Sequence, residues 1–383
     1  MKIVCHREGL LGACQLASVA VAARDLKPVL RNIKAIAQED RCTLMATDME
    51  LGIRIEVRGI QVQEPGETLL PTTRVIPILR ESTDEELTVE ASPDQCQIRG
   101  QYNEFEMPGE DPASFPNVPE FAEEKYHEVK AGVLKEMIRR VLFSAATAEN
   151  SRFGATTGVL WEMEDDNLSL VATDGRRLAR VEGKATSHGG HTTKGQMPVV
   201  PAKAMSLIER NLTEAEESIK IAMRQGDVLV KTERAMIYSR LVEGRFPNYK
   251  QVLPVNSPVK VHLTAGPFMS GVRQAAIMTD DESKRVIFNF AKKKLTLQAK
   301  GAETGRSKVE LPLEYDGKGV EISFDPKYVL DMLRVLSPDT ALTLELKDGS
   351  TPAVFRQDPD YLYVVVPLMT APPAVKKETA EAE

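Results

Sequence analysis

The stretch LSLVATDGRRLARVE, from Leu168 to Glu182, runs an apolar segment into an Asp-Gly turn and out through a basic, half-alternating strand. That is the pattern of a β-hairpin turning at Asp174–Gly175. A second copy, TLMATDMELGIRIEV from Thr43 to Val57, shares Ala-Thr-Asp at 46–48 and 172–174, 126 residues apart. Two such hairpins at the spacing of a domain point to an internal repeat.

The order of elements around the hairpins restarts twice. Helical periodicity marks Arg7–Arg24, Ala131–Glu149 and Pro267–Met278 as first helices. Second helices are expected from Thr68–Glu81, Pro201–Asn211 and Pro326–Leu336. In the first of these, Pro77 requires a late start near Ile76, so that the proline falls in the first turn. Short strands fill the intervals, at Ile33–Gln38, Leu87–Glu90, Gln95–Arg99, Asn103–Pro108, Ser218–Met223, Asp227–Thr232, Ala235–Val242, Val286–Phe290, Lys294–Lys300, Ala341–Leu346 and Tyr361–Leu368. Spacing supports the repeat: Phe115-Pro116-Asn117 recurs as Phe246-Pro247-Asn248, 131 residues later, and Pro71, Pro201 and Pro326 stand 130 and 125 apart. Three units of about 125 residues make an array, not one catalytic domain. The joints fall at 108–120 and near Leu253–Pro258, and the tail Thr370–Glu383 is expected to be disordered.

Bulk properties narrow the function classes. A chain of 383 residues is too long for one ordinary core. The net charge of −7 argues against a generally basic nucleic-acid coat but permits a basic lining within an acidic shell. Cys5, Cys14, Cys42 and Cys96 form no CxxC pair, so reduced thiols are expected, not a disulfide framework or a zinc ribbon. The N-terminus MKIVCHREGLL has no long apolar region, and no window reaches the length of a membrane span; a cytoplasmic protein is expected.

The threefold repeat, ATDGRRLA in the hairpin, LVEGRFPNYKQVLP at 241–254 and YVVVPLM at 363–369 together resemble the bacterial sliding clamp, the β subunit of DNA polymerase III. The resemblance runs in order from Met1 to about Met369. It implies an α+β chain of three clamp domains (1–122, 123–255 and 256–369, then the 370–383 tail), each with two helices on antiparallel sheets. It further implies a head-to-tail homodimeric ring around duplex DNA, acting as a processivity factor. The implied partners are the polymerase catalytic subunit, a clamp loader, and other replication and repair proteins that dock by short peptides.

The resemblance places a peptide pocket at Thr173, Gly175, Arg176, Arg177, Leu178, Pro247, Val252, Val364, Val366, Pro367, Leu368 and Met369. An apolar cleft with a basic rim suits an extended peptide with aliphatic or aromatic anchors. Gln251 stands where members often carry Arg, and Thr156 where a Leu often lines the pocket. For DNA the match favours Arg24, Arg152 and Phe153. Cations on or beside the helices add Lys203, with Lys27, Arg31, Arg74, Arg80, Lys135, Arg139, Arg140, Arg210, Lys327 and Arg334, which would touch phosphates without reading bases. At the subunit interface, Ile277 and Met278 are implied to meet Ile78, Phe105 and Met107 of a second copy.

Two other readings stand beside this one. Asp48, Asp174, Asp280 and Asp281 could serve a metal-dependent phosphoryl-transfer enzyme, with His188 and His191 as a metal pair in a flexible glycine-rich loop. Alternatively, the array could be a scaffold that binds proteins but not DNA. No Gly-x-x-x-x-Gly-Lys loop or nucleophile elbow is present, so no catalytic site, cofactor or metal is expected.

Overall fold

The computed structural model describes residues 1–22, 27–149, 151, 154–254, 257–280, 284–301, 303–357 and 359–369. The chain divides into two compact units: unit 1 is residues 1–172 with 182–247, and unit 2 is 173–181 with 248 onward.

Among its described residues unit 1 contains four α-helices: α1 (Arg7–Ser18), α2 (Thr72–Glu81), α3 (Ala131–Leu142) and α4 (Ala202–Asn211). In α1 the buried positions Leu10, Ala13, Cys14 and Ala17 recur at three- and four-residue steps, and Leu134, Met137, Ile138 and Val141 do the same in α3. These stripes pack α1 on α2 and α3 on α4, and α1 also touches α4. A nine-stranded sheet runs in the order Thr186–His188, Tyr126–Lys130, Ser218–Met223, Asp227–Lys231, Ala235–Arg240, Leu51–Val57, Arg41–Thr47, Asn32–Gln38, Gly66–Pro71. Its middle pair joins the first repeat to the second, with Ala235 opposite Ile55 and Ser239 opposite Leu51. Phe115 and Val118 pack with Met45, Leu69, Leu229 and Met236, so the Pro-rich joint is part of the core. Phe246, the mate of Phe115, is likewise buried. A second sheet, of five strands, ends at Glu104–Pro108.

Unit 2 contains α5 (Ala265–Ala276) and α6 (Pro326–Leu333). Asp325 caps α6 by accepting from the Lys327 N–H at 2.9 Å. A four-stranded sheet runs Gly305–Pro312, Lys294–Gly301, Val286–Ala291, Val320–Phe324. The start of the Arg177–Lys184 strand pairs with Tyr361–Val365, which continues through Ala353–Gln357 and Ala341–Leu346 to Val259–Thr264. The core is a run of aromatic rings, with Phe288 5.2 Å from Phe324 and 6.1 Å from Phe268. Gly271 lets α5 approach the outer strand, since a Cβ there would meet Leu311 at 2.6 Å.

Several helix limits differ from those expected. The first helix ends at Ser18, not Arg24: Val19 and Ala20 bond three residues back to Leu16 and Ala17, and Ala22 turns to Leu30. Arg24 itself lies outside the described residues. The helix expected to reach Glu149 stops at Leu142, because Ser144 and Ala145 tighten into three-residue bonds and Ala146 donates to Thr156. α5 begins and ends two residues earlier than its apolar periodicity suggests, and α6 stops at Leu333 instead of Leu336. α2 does not start late. It begins at Thr72 and carries Pro77 inside. Thr73 and Pro77 are exposed, so the carbonyl deprived of its donor meets water. Pro71 and Pro201 sit just before α2 and α4, and Pro326 is the first residue of α6.

All four cysteines are free and buried, and burial pushes the thiols of Cys5 and Cys42 up to about 12. No helix among the described residues is long and apolar enough to cross a membrane.

His191 is not in a loose loop. It is buried, with Nδ1 2.6 Å from Nδ1 of the fully buried His127. His191 Nε2 accepts from the Met223 N–H at 3.0 Å, so its proton is on Nδ1 and is donated to His127. His127 then carries its own proton on Nε2 and donates it to the Asp165 carbonyl at 2.8 Å. One neutral tautomer pair satisfies the His127–His191 bond together with those to the Met223 N–H and the Asp165 carbonyl, and burial lowers the pKa of both rings. The unfolded chain protonates both histidines below about pH 6.5 while the fold keeps them neutral, so stability is full above that pH and lost as pH falls through it. The slope should approach about 1.4 kcal/mol per pH unit for each histidine. Urea unfolding between pH 7 and 5.5 checks this, and a His127→Gln/His191→Gln variant should flatten the dependence.

Candidate docking site and its relatives

The turn that ends the Asn167–Thr173 strand is built by its own side chains. Asp174 Oδ1 accepts from the N–H groups of Arg176 and Arg177, at 2.9 and 3.0 Å. Thr173 Oγ1 accepts from the Gly175 N–H and donates to the Arg177 carbonyl at 2.6 Å. Gly175 has φ of 85°, which explains the glycine. The copy at Thr47–Leu51 makes the same bonds but places Met49 at φ 76°.

From this turn, Leu178 faces Val364 and Arg177 faces Val365 across an antiparallel pair. The last strand ends at Val365, but its backbone stays anchored: Val366 N–H donates to the Arg176 carbonyl at 2.9 Å, and Leu368 N–H to Ser323 at 2.8 Å. Leu178, Val364 and Pro367 are buried, Leu368 is half-buried, and Val366 and Met369 are 42% and 69% exposed. Val252 is 58% exposed, Gln251 is exposed, and Pro247, which closes unit 1, is half-buried. Unit 2 therefore presents exposed aliphatic groups on a fixed backbone beside an exposed Arg176, a surface able to hold an extended apolar segment.

Arg177 does not belong to that exposed rim. Its guanidinium is buried, with Nε on Asp174 at 3.0 Å, Nη1 on Asp331 of α6 at 2.7 Å, and its plane over the Tyr328 ring at 4.8 Å. Burial opposes the charge, yet Tyr363, Asp331 and Asp174 outweigh it and raise the pKa. Arg177 thus braces the turn against α6. Thr156, in unit 1, is buried with its hydroxyl 3.0 Å from that of Ser151.

Among the DNA candidates, Arg24, Arg152 and Phe153 lie outside the described residues, as do Asp281 and the tail. Lys203 is half exposed and bonded to Asp48 at 2.6 Å. Arg139 and Arg140 both reach Glu136, Lys135 donates to the Leu212 carbonyl, and Arg334 pairs with Asp331. Lys27, Arg31, Arg74, Arg80 and Lys327 are exposed. Arg210 opens onto a recess of about 430 Å³ between α1 and α4 that Arg58 and Arg234 also line, with Glu8 and Glu56. Sequence reading missed Arg58 and Arg234 because they sit in the bends between strands rather than on a helix face. Asp48 and Asp174, considered as metal carboxylates, instead hold their own turns and a neighbouring cation.

For the interface candidates, Ile277 is 70% exposed, Ile78, Phe105 and Met278 are half-buried, and Met107 is buried opposite Cys96.

Comparison with known proteins follows this geometry closely. Residues 1–119, 128–248 and 250–369 match the N-terminal, central and C-terminal domain models of the DNA polymerase III beta subunit. The beta sliding clamps of Chlamydia pneumoniae and Escherichia coli are each 27% identical, with 96% of this chain covered and 99% and 100% of theirs. A DNA polymerase sliding clamp structure from Pseudomonas aeruginosa superimposes with a TM-score of 0.86 at 25% identity, over 97% of this chain and all of that one. The two helices on antiparallel strands that recur three times are its three clamp domains, and the chain belongs to the DNA polymerase III beta subunit family, the sliding clamps that serve as polymerase processivity factors.

Proposed function

We propose that two copies of this chain close head to tail into a ring around duplex DNA, in the cytoplasm, and tether the replicative polymerase to its template. The clamp domains are assigned to residues 1–122, 123–255 and 256–369. The polymerase catalytic subunit, a separate ATP-driven loader, and other replication and repair proteins dock through short peptides on the wall formed by Arg176, Leu178, Val252, Val364, Val366, Leu368 and Met369, with Thr173, Gly175, Arg177 and Pro367 framing it; Pro247 is assigned to peptide binding by the family resemblance alone. The observation that carries the reading is the pair of exposed aliphatic side chains Val366 and Met369, on a backbone held in register by Arg176 and Ser323 above buried Leu178 and Val364. Holding a polymerase at high effective concentration needs no chemistry from the tether itself.

Ring closure is supported by two open sheet edges of opposite charge. Glu104–Pro108 carries Glu104 and Glu106 outward, whereas Gly305–Pro312 carries Arg306 and Lys308 against the single carboxylate of Glu310, a surplus of one positive charge. An unpaired edge is a template for another strand, and opposite charge selects the heterologous pairing. Ile277 and Met278, with Ile78, Phe105 and Met107, are assigned to the same contact. DNA passage is supported by the guanidinium-lined recess between α1 and α4, which suits phosphates without reading bases. Arg24, Arg152, Phe153 and Lys203 are proposed as further DNA contacts.

Three outcomes test the reading. The protein in solution should have the mass of two 42.3 kDa chains at micromolar concentration, and Ile277→Asp should shift it towards one. Once loaded, it should stay on closed circular DNA at high salt and leave when the circle is cut; equal release from linear and circular DNA would refute encirclement. Val366→Asp should weaken binding of a polymerase-derived peptide by at least about tenfold, the effect of losing a buried anchor, while leaving the dimer mass unchanged.

A further inference from the structure

The bond pattern that builds the docking wall in unit 2 occurs a second time, wholly inside unit 1. Leu51 faces Ser239 and Gly52 faces Tyr238, as Arg177 faces Val365 and Leu178 faces Val364. Arg240 N–H donates to the Glu50 carbonyl at 2.8 Å, as Val366 N–H does to Arg176. Val242 N–H donates to the Val199 carbonyl at 2.8 Å, as Leu368 N–H does to Ser323. Both acceptors stand shortly before a second helix, α4 or α6. Bond for bond, Arg240, Leu241, Val242 and Glu243 occupy the places of Val366, Pro367, Leu368 and Met369, and Glu50 that of Arg176.

A cleft of about 800 Å³ opens at this place, a volume ample for a short peptide. Pro201, Leu241 and Val242 give it a half-exposed aliphatic floor. Its rim holds Asp48, Glu50, Asp227 and Glu243 against Lys203 and Arg240, a surplus of two negative charges. Asp48 pairs with Lys203, and Glu50 with Arg240. Asp227 is held by Arg224, whose charge is answered in turn by Glu123. The surplus therefore stands, and the exposed Glu243 takes the position that the apolar Met369 has in unit 2.

We propose that this cleft is a second docking site, for an extended segment of a partner protein bearing lysine or arginine. The aliphatic stems would lie on Pro201, Leu241 and Val242, with the charged heads at the Glu243 and Asp227 rim. The proposal rests on reading the equivalent unit 2 wall as a peptide site. The two sites have opposite preferences, since one offers Arg176 with bare aliphatic groups and the other an acidic rim. One ring could then hold two unlike partners per subunit without competition.

The test uses the full-length protein and two labelled probe peptides, one alternating lysine with leucine and valine, the other an acidic-leucine peptide. Binding is measured by fluorescence anisotropy, and each probe is located by photo-crosslinking and mass spectrometry. The basic probe should crosslink at 238–243 and weaken at least about tenfold with Glu243→Lys, less with Glu243→Gln, and not with Val366→Asp. Glu243 is exposed, so both variants should keep the wild-type dimer mass and thermal midpoint. Crosslinks scattered over the acidic surface, no binding, or loss with Val366→Asp instead of Glu243→Lys would overturn the proposal. If the basic probe behaves as expected while the acidic-leucine probe fails to bind the wild-type protein, the unit 1 site stands and the unit 2 assignment falls.

Discussion

An antiparallel sheet leaves a row of bare N–H and C=O groups along each edge, and this chain covers two of its edges by one device. The outer strand of each hairpin pairs with the closing strand of the following repeat: Leu51–Val57 with Ala235–Arg240, and Arg177 onward with Tyr361–Val365. Each joint depends on a three-residue turn in which an aspartate carboxylate satisfies two backbone donors, stopping one strand so that its neighbour can run past. The backbone beyond that neighbour is then pinned twice, to the turn and to the strand before the next helix. A fixed backbone with outward side chains is the result, and docking is a consequence of how the repeats are stitched.

The same stitching carries different chemistry at its two occurrences. At the second turn the cation is Arg177, buried, forked between Asp174 and Asp331 and stacked on Tyr328. Burial of a lone charge would be costly, so the planar guanidinium with its several donors is the group that can be enclosed there. At the first turn the cation is Lys203, a half-exposed ammonium on Asp48 at the mouth of an open cleft. Beyond the turns, Val366 and Met369 give way to Arg240 and Glu243, turning an apolar surface into an acidic one. Backbone bonds are conserved between the repeats while side chains set what each will hold.

Both hairpins, the Phe-Pro-Asn repeat and the prolines that open the second helices were legible because each is a local pattern with a local cause. An aspartate side chain can satisfy the donors of a tight turn, proline is tolerated at helix entry, and apolar residues at three- and four-residue steps make a stripe. Helix ends were less legible. Nothing near Leu142 marks a stop; the chain leaves the helix because Ala146 finds the Thr156 carbonyl. Pro77 inside α2 was read as a start because periodicity cannot say that Thr73 faces water. His188-x-x-His191 could be read as a metal pair, but the partner of His191 is His127, 64 residues away on the Tyr126–Lys130 strand.

By itself the sequence determined the order of elements, the threefold repeat and the family whose motifs end in the last strand, because these are written in residues adjacent along the chain. Only the tertiary structure decided which cations are enclosed, which apolar groups remain bare and where clefts open. Arg177 and Asp331 are 154 positions apart, and Lys203 and Asp48 are 155 apart. Their meeting is set by cross-strand register and by helices packing on sheets. No short window of sequence holds that information, and charge and burial, on which function depends, follow from it.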